Sequence, residues 1–552
     1  MRPAEPVASK PAQSPPGDTG APLPPEVYLI GCGPAAAQSS KASPQTMGFK
    51  AWNLLRMAAL AMPVPPAFVL GTRYCADAAA RRRAADPELW RAGLLALERS
   101  TGHMLGDRAR PLLLSVRSGA PVSMPGMMQT ILNVGLCDAT AGGLLRRTGN
   151  PRLVWDAYRR LVATYAEVVA GLPRAGFDAA LAEIAGERDE RELDFAELRA
   201  LTRRYLELYA QGAGHPFPQD PGRQLAGAIE AVFASWQAPK ACEYRRLNGI
   251  SDEIGTAVTV QSMVFGNSGG RSGAGVGFTR DPASGEAVLR VDFLFNAQGE
   301  DVVSGRRVAH GHEQLAAVLP EAWLALREAT GRIEREFGDM QEFEFTVQDG
   351  RLYLLQTRAG KRTRLAAARI ALDMVDEQLI DPAVARERTR GLDREALART
   401  RLATEAGALP EPLARAASAS SGVASGRVAL DSARAAAFRG AAQPFVLVRA
   451  EAETDDLAAL EAAVGLLTQR GARSSHAAVV ARHLGKVCLV GCTQLQIDEK
   501  ARVARFGERS LREGDLLTLD GNDGACYAGA LRTKVEYPED LLARLAALHQ
   551  GA

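Results

Sequence analysis

His476 is the residue that raises the question of chemistry most directly. It stands in GARSSHAAVVARHLGKVCLVGC (471–492), between small polar residues and an apolar run of helical character. Ser474 and Ser475 are candidate N-caps for a helix over AAVVARHL, which places His476 in its first turn beside free backbone amides. A neutral imidazole is a competent nucleophile near neutral pH, and a phosphoryl group carried on it would meet the positive end of that helix. A lone histidine reads equally as a packed core or surface residue, and its own neighbourhood does not choose between the two.

Three other stretches could handle phosphate or metal. In SVRSGAPVSMPGMMQTILNVGL (115–136), Arg117 ends an apolar strand just before a loop of small residues. A guanidinium there can fork onto phosphate oxygens, or simply cap a carbonyl at the surface. GNSGGRSGAGVGFTRDP (266–282) joins two strand candidates through Gly266, Gly269, Gly270, Gly273, Gly275 and Gly277. Backbone amides without side chains can approach a polyphosphate closely, although the pattern is neither a P-loop nor a strand-to-helix GxGxxG, and a hairpin tip is the plainer alternative. In QEFEFTVQDGRLYLLQTR (341–358), Glu342 and Glu344 share one strand face by the two-residue period, as hard ligands for a divalent metal need to. A solvated face is the usual fate of such alternation. A two-residue turn would face Gln356 away from both carboxylates, whereas a three-residue loop with Gly350 left-handed pairs 347 with 351 and brings it to their side. The three-residue loop is predicted.

The elements that must position these residues read as α/β. Residues 47–118 run helix (FKAWNLLRMAAL), proline-marked turn (MPVPP), strand (AFVLGT), helix, strand (PLLLSVRS). Residues 151–236 form amphipathic helices, and TAVTVQSMVFG, GVGFTRDP and VLRVDFLF alternate like antiparallel strands. Residues 362–409 turn helical, charged and alanine-rich, as a spacer would. After ARAASASSGVASG (414–426), the strands FVLVRA, VGLLTQRG, VCLVGC and DLLTLDG surround the histidine stretch.

At 552 residues several domains are expected. The 66 Lys+Arg against 64 Asp+Glu leave +2, so no net field favours nucleic acid or an anionic membrane. Seven scattered cysteines without a CxxC pair fit a reducing compartment. The first 25 residues, rich in Pro, Ala and Ser, read as a disordered leader without the apolar core of a signal peptide. The run AALAMPVPPAFVLG is broken by three prolines and too short to span a bilayer. A soluble, cytoplasmic protein is expected.

Taken in chain order, these stretches resemble the pyruvate, phosphate dikinase family almost continuously from about residue 47 to 533. The His476 stretch resembles its phosphohistidine motif, SVRSGAPVSMPGMM its nucleotide-domain arginine motif, and GNSGGRSGAGVGFTRDP with NAQGEDVVSG its glycine-rich lid. MQEFEFTV with LLQTRAGKRT resembles the strand pair that holds metal and nucleotide. The resemblance implies an α/β and α+β multidomain chain: an ATP-grasp nucleotide-binding domain over 26–361 with a helical insert at 151–236, a helical linker at 362–420, a swivelling phosphohistidine domain at 421–533 and a tail at 534–552.

In that family the histidine takes a phosphoryl group derived from the β-phosphate of ATP, with AMP, inorganic phosphate and pyrophosphate in the balance, and delivers it to pyruvate. His476 matches the phosphorylated position. Lys50, Arg117, Glu342, Glu344, Gln356 and Arg358 match positions that bind nucleotide, phosphates or Mg2+, with Glu342 and Glu344 as the metal pair. One of Arg159 and Arg160 matches another such position, and Gly269, Gly270, Gly273 and Gly275 fall in the lid. Ser474 stands where the family usually has a threonine that some members phosphorylate reversibly.

Three departures follow. MGFKAW replaces a GGKG-like start, so Phe49 and Ala51 stand beside Lys50 in place of glycines. Glu342 replaces the usual Asp. The family's pyruvate and phosphoenolpyruvate site lies on a C-terminal (β/α)8 barrel of about 250 residues, whereas 19 residues follow position 533 here. The expectation is therefore an ATP- and phosphate-dependent phosphorylation of His476, with a separately encoded barrel subunit as acceptor partner and a homodimer as a further option. The alternatives are a phosphotransferase for another small molecule and a nucleotide-binding regulatory or scaffold protein with weakened catalysis.

Overall fold

The computed structural model describes residues 23–32, 42–122, 124, 128–186, 188–303, 311–403, 409–452, 456–471, 473 and 475–550. Most of the expected leader, and Ser474, lie outside the described residues. Strands β1 (Val27–Ile30), β2 (Ala67–Leu70), β3 (Leu114–Gly119), β4 (Thr130–Val134) and β5 (Ala257–Ser262) form an antiparallel sheet in the order β1-β2-β5-β3-β4. A second antiparallel sheet contains β6 (Gly273–Phe278), β7 (Arg290–Phe295), β8 (Gln341–Gln348) and β9 (Arg351–Ala359), in the order β7-β6-β8-β9. Of the three strands read between 256 and 295, the first thus joins one sheet and the other two pair in the second.

The helix Pro44–Ala59 packs between the two sheets. Its Met47, Ala51, Leu54 and Leu55 share a core with Phe293, Phe343 and Phe345 of the second sheet. The helices Pro151–Val168, Ala175–Ala185, Phe195–Ala213 and Pro221–Ala234 follow the helical period read from the sequence, and they cover the first sheet with one continuous apolar core.

The C-terminal region is built on an eight-stranded mixed sheet. Val423–Ala429, Phe445–Arg449, Gly465–Thr468 and Val487–Val490 lie side by side and parallel within it. The stretch between the two regions is not wholly helical as expected. Arg364–Asp376 and Pro382–Arg388 are helices, but Arg399–Leu402 is a strand that pairs antiparallel with Thr533–Glu536. The chain leaving the C-terminal sheet therefore returns beside the chain entering it. The helix Glu539–Gln550 then packs Leu541 and Leu545 against Leu365, Leu372 and Leu397, and its Arg544 bonds Asp373 and Asp376 at 2.8 Å each. Among the described residues, no helix is long and apolar enough to cross a membrane.

Candidate functional site

Residues directly opposite on adjacent strands share a face. Glu342 lies opposite both Phe278 and Arg358, and Glu344 opposite Val276 and Gln356, while Phe278 and Val276 oppose Arg290 and Asp292 on their other side. One face of the second sheet therefore carries Glu342, Glu344, Gln356 and Arg358 together. Phe293, Phe343 and Phe345 fill the other face.

The predicted turn is wrong, although its consequence occurs. Gln348 pairs with Arg351 across a two-residue turn, Asp349 and Gly350, both left-handed at φ 51° and 83°. That is the turn an Asp-Gly dipeptide favours. The register then shifts between Glu344 and Phe345, and this bulge in β9 places Gln356 opposite Glu344.

Glu342 is 5% exposed. Its Oε1 accepts a bond from Arg358 Nη2 at 2.5 Å, while its Oε2 is buried without a hydrogen-bond partner. Burial draws the Arg358 guanidinium down, but Glu342 and Glu344 outweigh it and hold it above its ordinary value. An orphaned carboxylate oxygen beside a second carboxylate on the same face is a donor set that fits Mg2+. Among the described residues no cluster of three or more His, Cys, Asp or Glu side chains could hold a metal. Two protein carboxylates plus substrate phosphates is the usual arrangement for that ion.

Lys50 reaches the same place from the helix between the two sheets. Ser43 Oγ caps the first turn by accepting from the Thr46 amide at 3.2 Å, and the helix breaks at Gly48 (φ 75°, ψ 154°) before resuming with Lys50 in its next turn. A Cβ on Gly48 would lie 1.8 Å from the carbonyl oxygen of Gly119, so only glycine fits. The Phe49 amide donates to Ala120 O at 3.2 Å, and Asn53 Nδ2 donates to Thr357 O at 2.8 Å, tying the helix to β3 and to β9. Of the residues replacing family glycines, Phe49 is 48% exposed and Ala51 is core.

Lys50 is exposed as a residue, yet protein atoms surround its ammonium closely enough to strip some of its water. That loss holds it below the ordinary lysine value; Glu344 pulls the other way, and Arg117 and Arg358 add to the depression. Lys50, Arg117, Glu344 and Arg358 thus form one electrostatic cluster across both sheets.

The glycines divide. Gly269 and Gly270 have open space where a Cβ would be, so nothing in the fold packs against them. Gly273 and Gly275 were expected in that loop but lie in β6, where a Cβ would stand 2.2 Å from the Phe293 ring and 2.5 Å from the Phe345 ring. Packing under aromatic rings explains these two glycines, not approach to phosphate. The arginine pair also separates. Arg159 is 4% exposed and bound to Asp156 (2.6 Å) and Glu190 (2.9 Å). Arg160 is less buried but likewise paired, to Asp156 (3.0 Å), Glu190 (3.4 Å), Asp301 (3.5 Å) and Glu300 (3.6 Å), and it lines a pocket with Asn133, Asp156, Asn267, Gln298 and Glu300. Within that pocket Asn133 Oδ1 is buried without a partner.

In the C-terminal region Ser475 Oγ caps the helix His476–His483 by accepting from the Ala478 amide at 3.4 Å, so His476 is its first residue. Ala477, Ala478 and Ala481 anchor it in the core. Arg482 of this helix, only 2% exposed, lies 5.4 Å over the Phe278 ring of β6. The histidine-bearing helix therefore rests on the sheet face that carries Glu342. The sequence reading passed over Arg482; a single arginine in the apolar run HAAVVARHL was the available signal.

Comparison with known proteins finds two matching families. Residues 87–312 match the family described as "Pyruvate phosphate dikinase, AMP/ATP-binding domain", and residues 441–524 match "PEP-utilising enzyme, mobile domain". The chain is 40% identical over 509 residues to pyruvate, phosphate dikinase 1 of Arabidopsis thaliana, covering 91% of this chain and 52% of that protein. It is 41% identical over 499 residues to pyruvate, phosphate dikinase of Clostridium symbiosum, covering 88% of this chain and 57% of that one. The chain thus spans just over half the length of these relatives. Two of its segments match domain families of pyruvate, phosphate dikinases, and about nine tenths of the chain is similar to those enzymes.

Proposed function

We propose that the chain phosphorylates His476 from ATP in the presence of inorganic phosphate, releasing AMP and pyrophosphate, and that the phosphohistidine then delivers its phosphoryl group to pyruvate to form phosphoenolpyruvate. The observation that carries this reading is the seat of the histidine helix on the face that bears Glu342, Glu344, Gln356 and Arg358, with Lys50 converging from the helix between the sheets and Arg117 from the other sheet.

Phosphoryl transfer needs positioning and charge neutralisation more than covalent assistance. Lys50, Arg117 and Arg358 neutralise phosphate oxygens. Mg2+ held by Glu342 and Glu344 would add charge neutralisation across adjacent phosphates. The neutral imidazole of His476 supplies the nucleophilic nitrogen, and the helix N-terminus favours the charge it receives. The acceptor step uses a pyruvate site of the barrel type, and a barrel subunit is the partner proposed for it.

The test is incubation of the protein with Mg2+, phosphate and ATP labelled at the β-phosphorus, followed by assay of acid-labile label, with His476→Ala alongside. Label on the wild type alone is expected. Nucleotide binding without label would instead support a regulatory nucleotide-binding protein.

A further inference from the structure

We propose that Arg482 is a positioning residue for phosphoryl transfer: carried on the same helix as His476, its guanidinium seats that helix over Phe278, next to the metal-binding carboxylate Glu342. This inference rests on the phosphohistidine reading above.

The donors of Arg482 are divided. Nε donates to Ala419 O at 2.9 Å and Nη2 to Arg473 O at 3.0 Å, which ties the histidine helix to the strand Ala417–Ser420 and to the loop just before His476. Nη1 is buried and has no partner. The guanidinium lies over Phe278, which is directly opposite Glu342 in register. A gap at this contact is lined from both regions, mostly from the nucleotide side, and its lining includes Phe278, Asp281, Asp292, Ser418, Arg473 and Arg482. Asp281 is already engaged by Arg290 at 2.7 Å and by the Ala283 and Ser284 amides.

A charged donor left unpaired in a buried place opposes the contact that buries it, whereas separation of the domains would return Nη1 to water. Cation–π attraction and the nearby carboxylates favour the docked arrangement. Opposed terms of this kind give a seat that holds the helix in register and still releases it, as a carrier that must visit two sites requires. Burial holds the guanidinium below its ordinary value, against Cys488, Glu342, Asp281 and Asp292. Cys488 is itself pushed up to about 12 by burial, so its thiol stays neutral and the carboxylates supply the field.

The test uses the full chain with Arg482→Gln, Phe278→Leu and the double variant. Each single change should slow acid-labile labelling by about tenfold while ATP affinity stays within about twofold, and the double variant should be no slower than the slower single. Multiplying effects would show that Arg482 serves only its own domain and would overturn the proposal. Small-angle scattering without nucleotide gives a second readout: Phe278→Leu, which leaves the histidine domain intact, should enlarge the radius of gyration, and an unchanged radius would also overturn it. Absence of label on the wild type would remove the functional reading, and scattering alone would then decide the docking.

Discussion

At the residue scale, the chemistry concentrates where charges are held at some cost to the fold. The depressed Lys50 ammonium means that folding disfavours its charged form. Its penalty is therefore fully present below the folded pKa and fades as pH rises to the ordinary lysine range. Lys50→Met is expected to weaken ATP binding by about tenfold or more, yet to raise Tm at neutral pH, with the gain shrinking toward high pH. A fall in Tm at neutral pH would show that Lys50 is held by pairing rather than crowded. Gly48 has the opposite character, since nothing but glycine fits beside Gly119 at that φ. Gly48→Ala should cost more than about 1 kcal/mol in denaturant unfolding and displace Lys50. That Glu342 and Glu344 share one strand face was legible from the two-residue period. That Arg159 is the more deeply buried of the two neighbouring arginines was not, because neighbours on one helix differ only in which way the helix turns them.

At the element scale, the hairpin of β8 and β9 shows where sequence reasoning succeeded and failed. Asp349-Gly350 announces a two-residue turn, but the need to bring Gln356 to the side of Glu344 argued for a third residue. The extra residue exists as a bulge five positions further on, where Leu355 has no composition that marks it. Gly273 and Gly275 misled for a related reason. A glycine run reads the same whether it frees a loop or makes room for rings on neighbouring strands, and only the register to Phe293 and Phe345 decides. The same sheet is fixed to the linker by Arg280 at the end of β6. It is fully buried, bonds Glu334 (2.9 Å) of the helix Pro320–Phe337, and bonds Glu377 (3.1 Å) at the C-cap of Arg364–Asp376. Arg280→Met leaves Glu334 without its cation and should lower stability by about 3 kcal/mol in equilibrium unfolding. A change of less than about 1 kcal/mol would place Glu334, whose side chain is 14% exposed, within reach of water.

At the scale of the whole molecule, the division into a nucleotide region and a histidine region was visible in composition and motif order. The pairing of Arg399–Leu402 with Thr533–Glu536 was not, because it joins strands separated by the entire histidine domain and neither is distinctive alone. Its consequence is mechanical. Both connections of the histidine domain leave from one base, formed by the helices Arg364–Asp376 and Glu539–Gln550, which packs through Ala366, Ile370 and Met374 against Phe278 and Met340. The apolar clusters of the histidine domain are separate from those of the nucleotide region. Two bodies with separate cores, touching through a guanidinium on a ring, should unfold as two units. Calorimetry is expected to resolve two transitions. A non-transferable ATP analogue with Mg2+, at about a hundred times its Kd, should stabilise the nucleotide transition by about 2.7 kcal/mol and leave the other nearly in place. A single transition that moves as a whole would mean that the contact at Arg482 joins the domains too strongly for the histidine to travel.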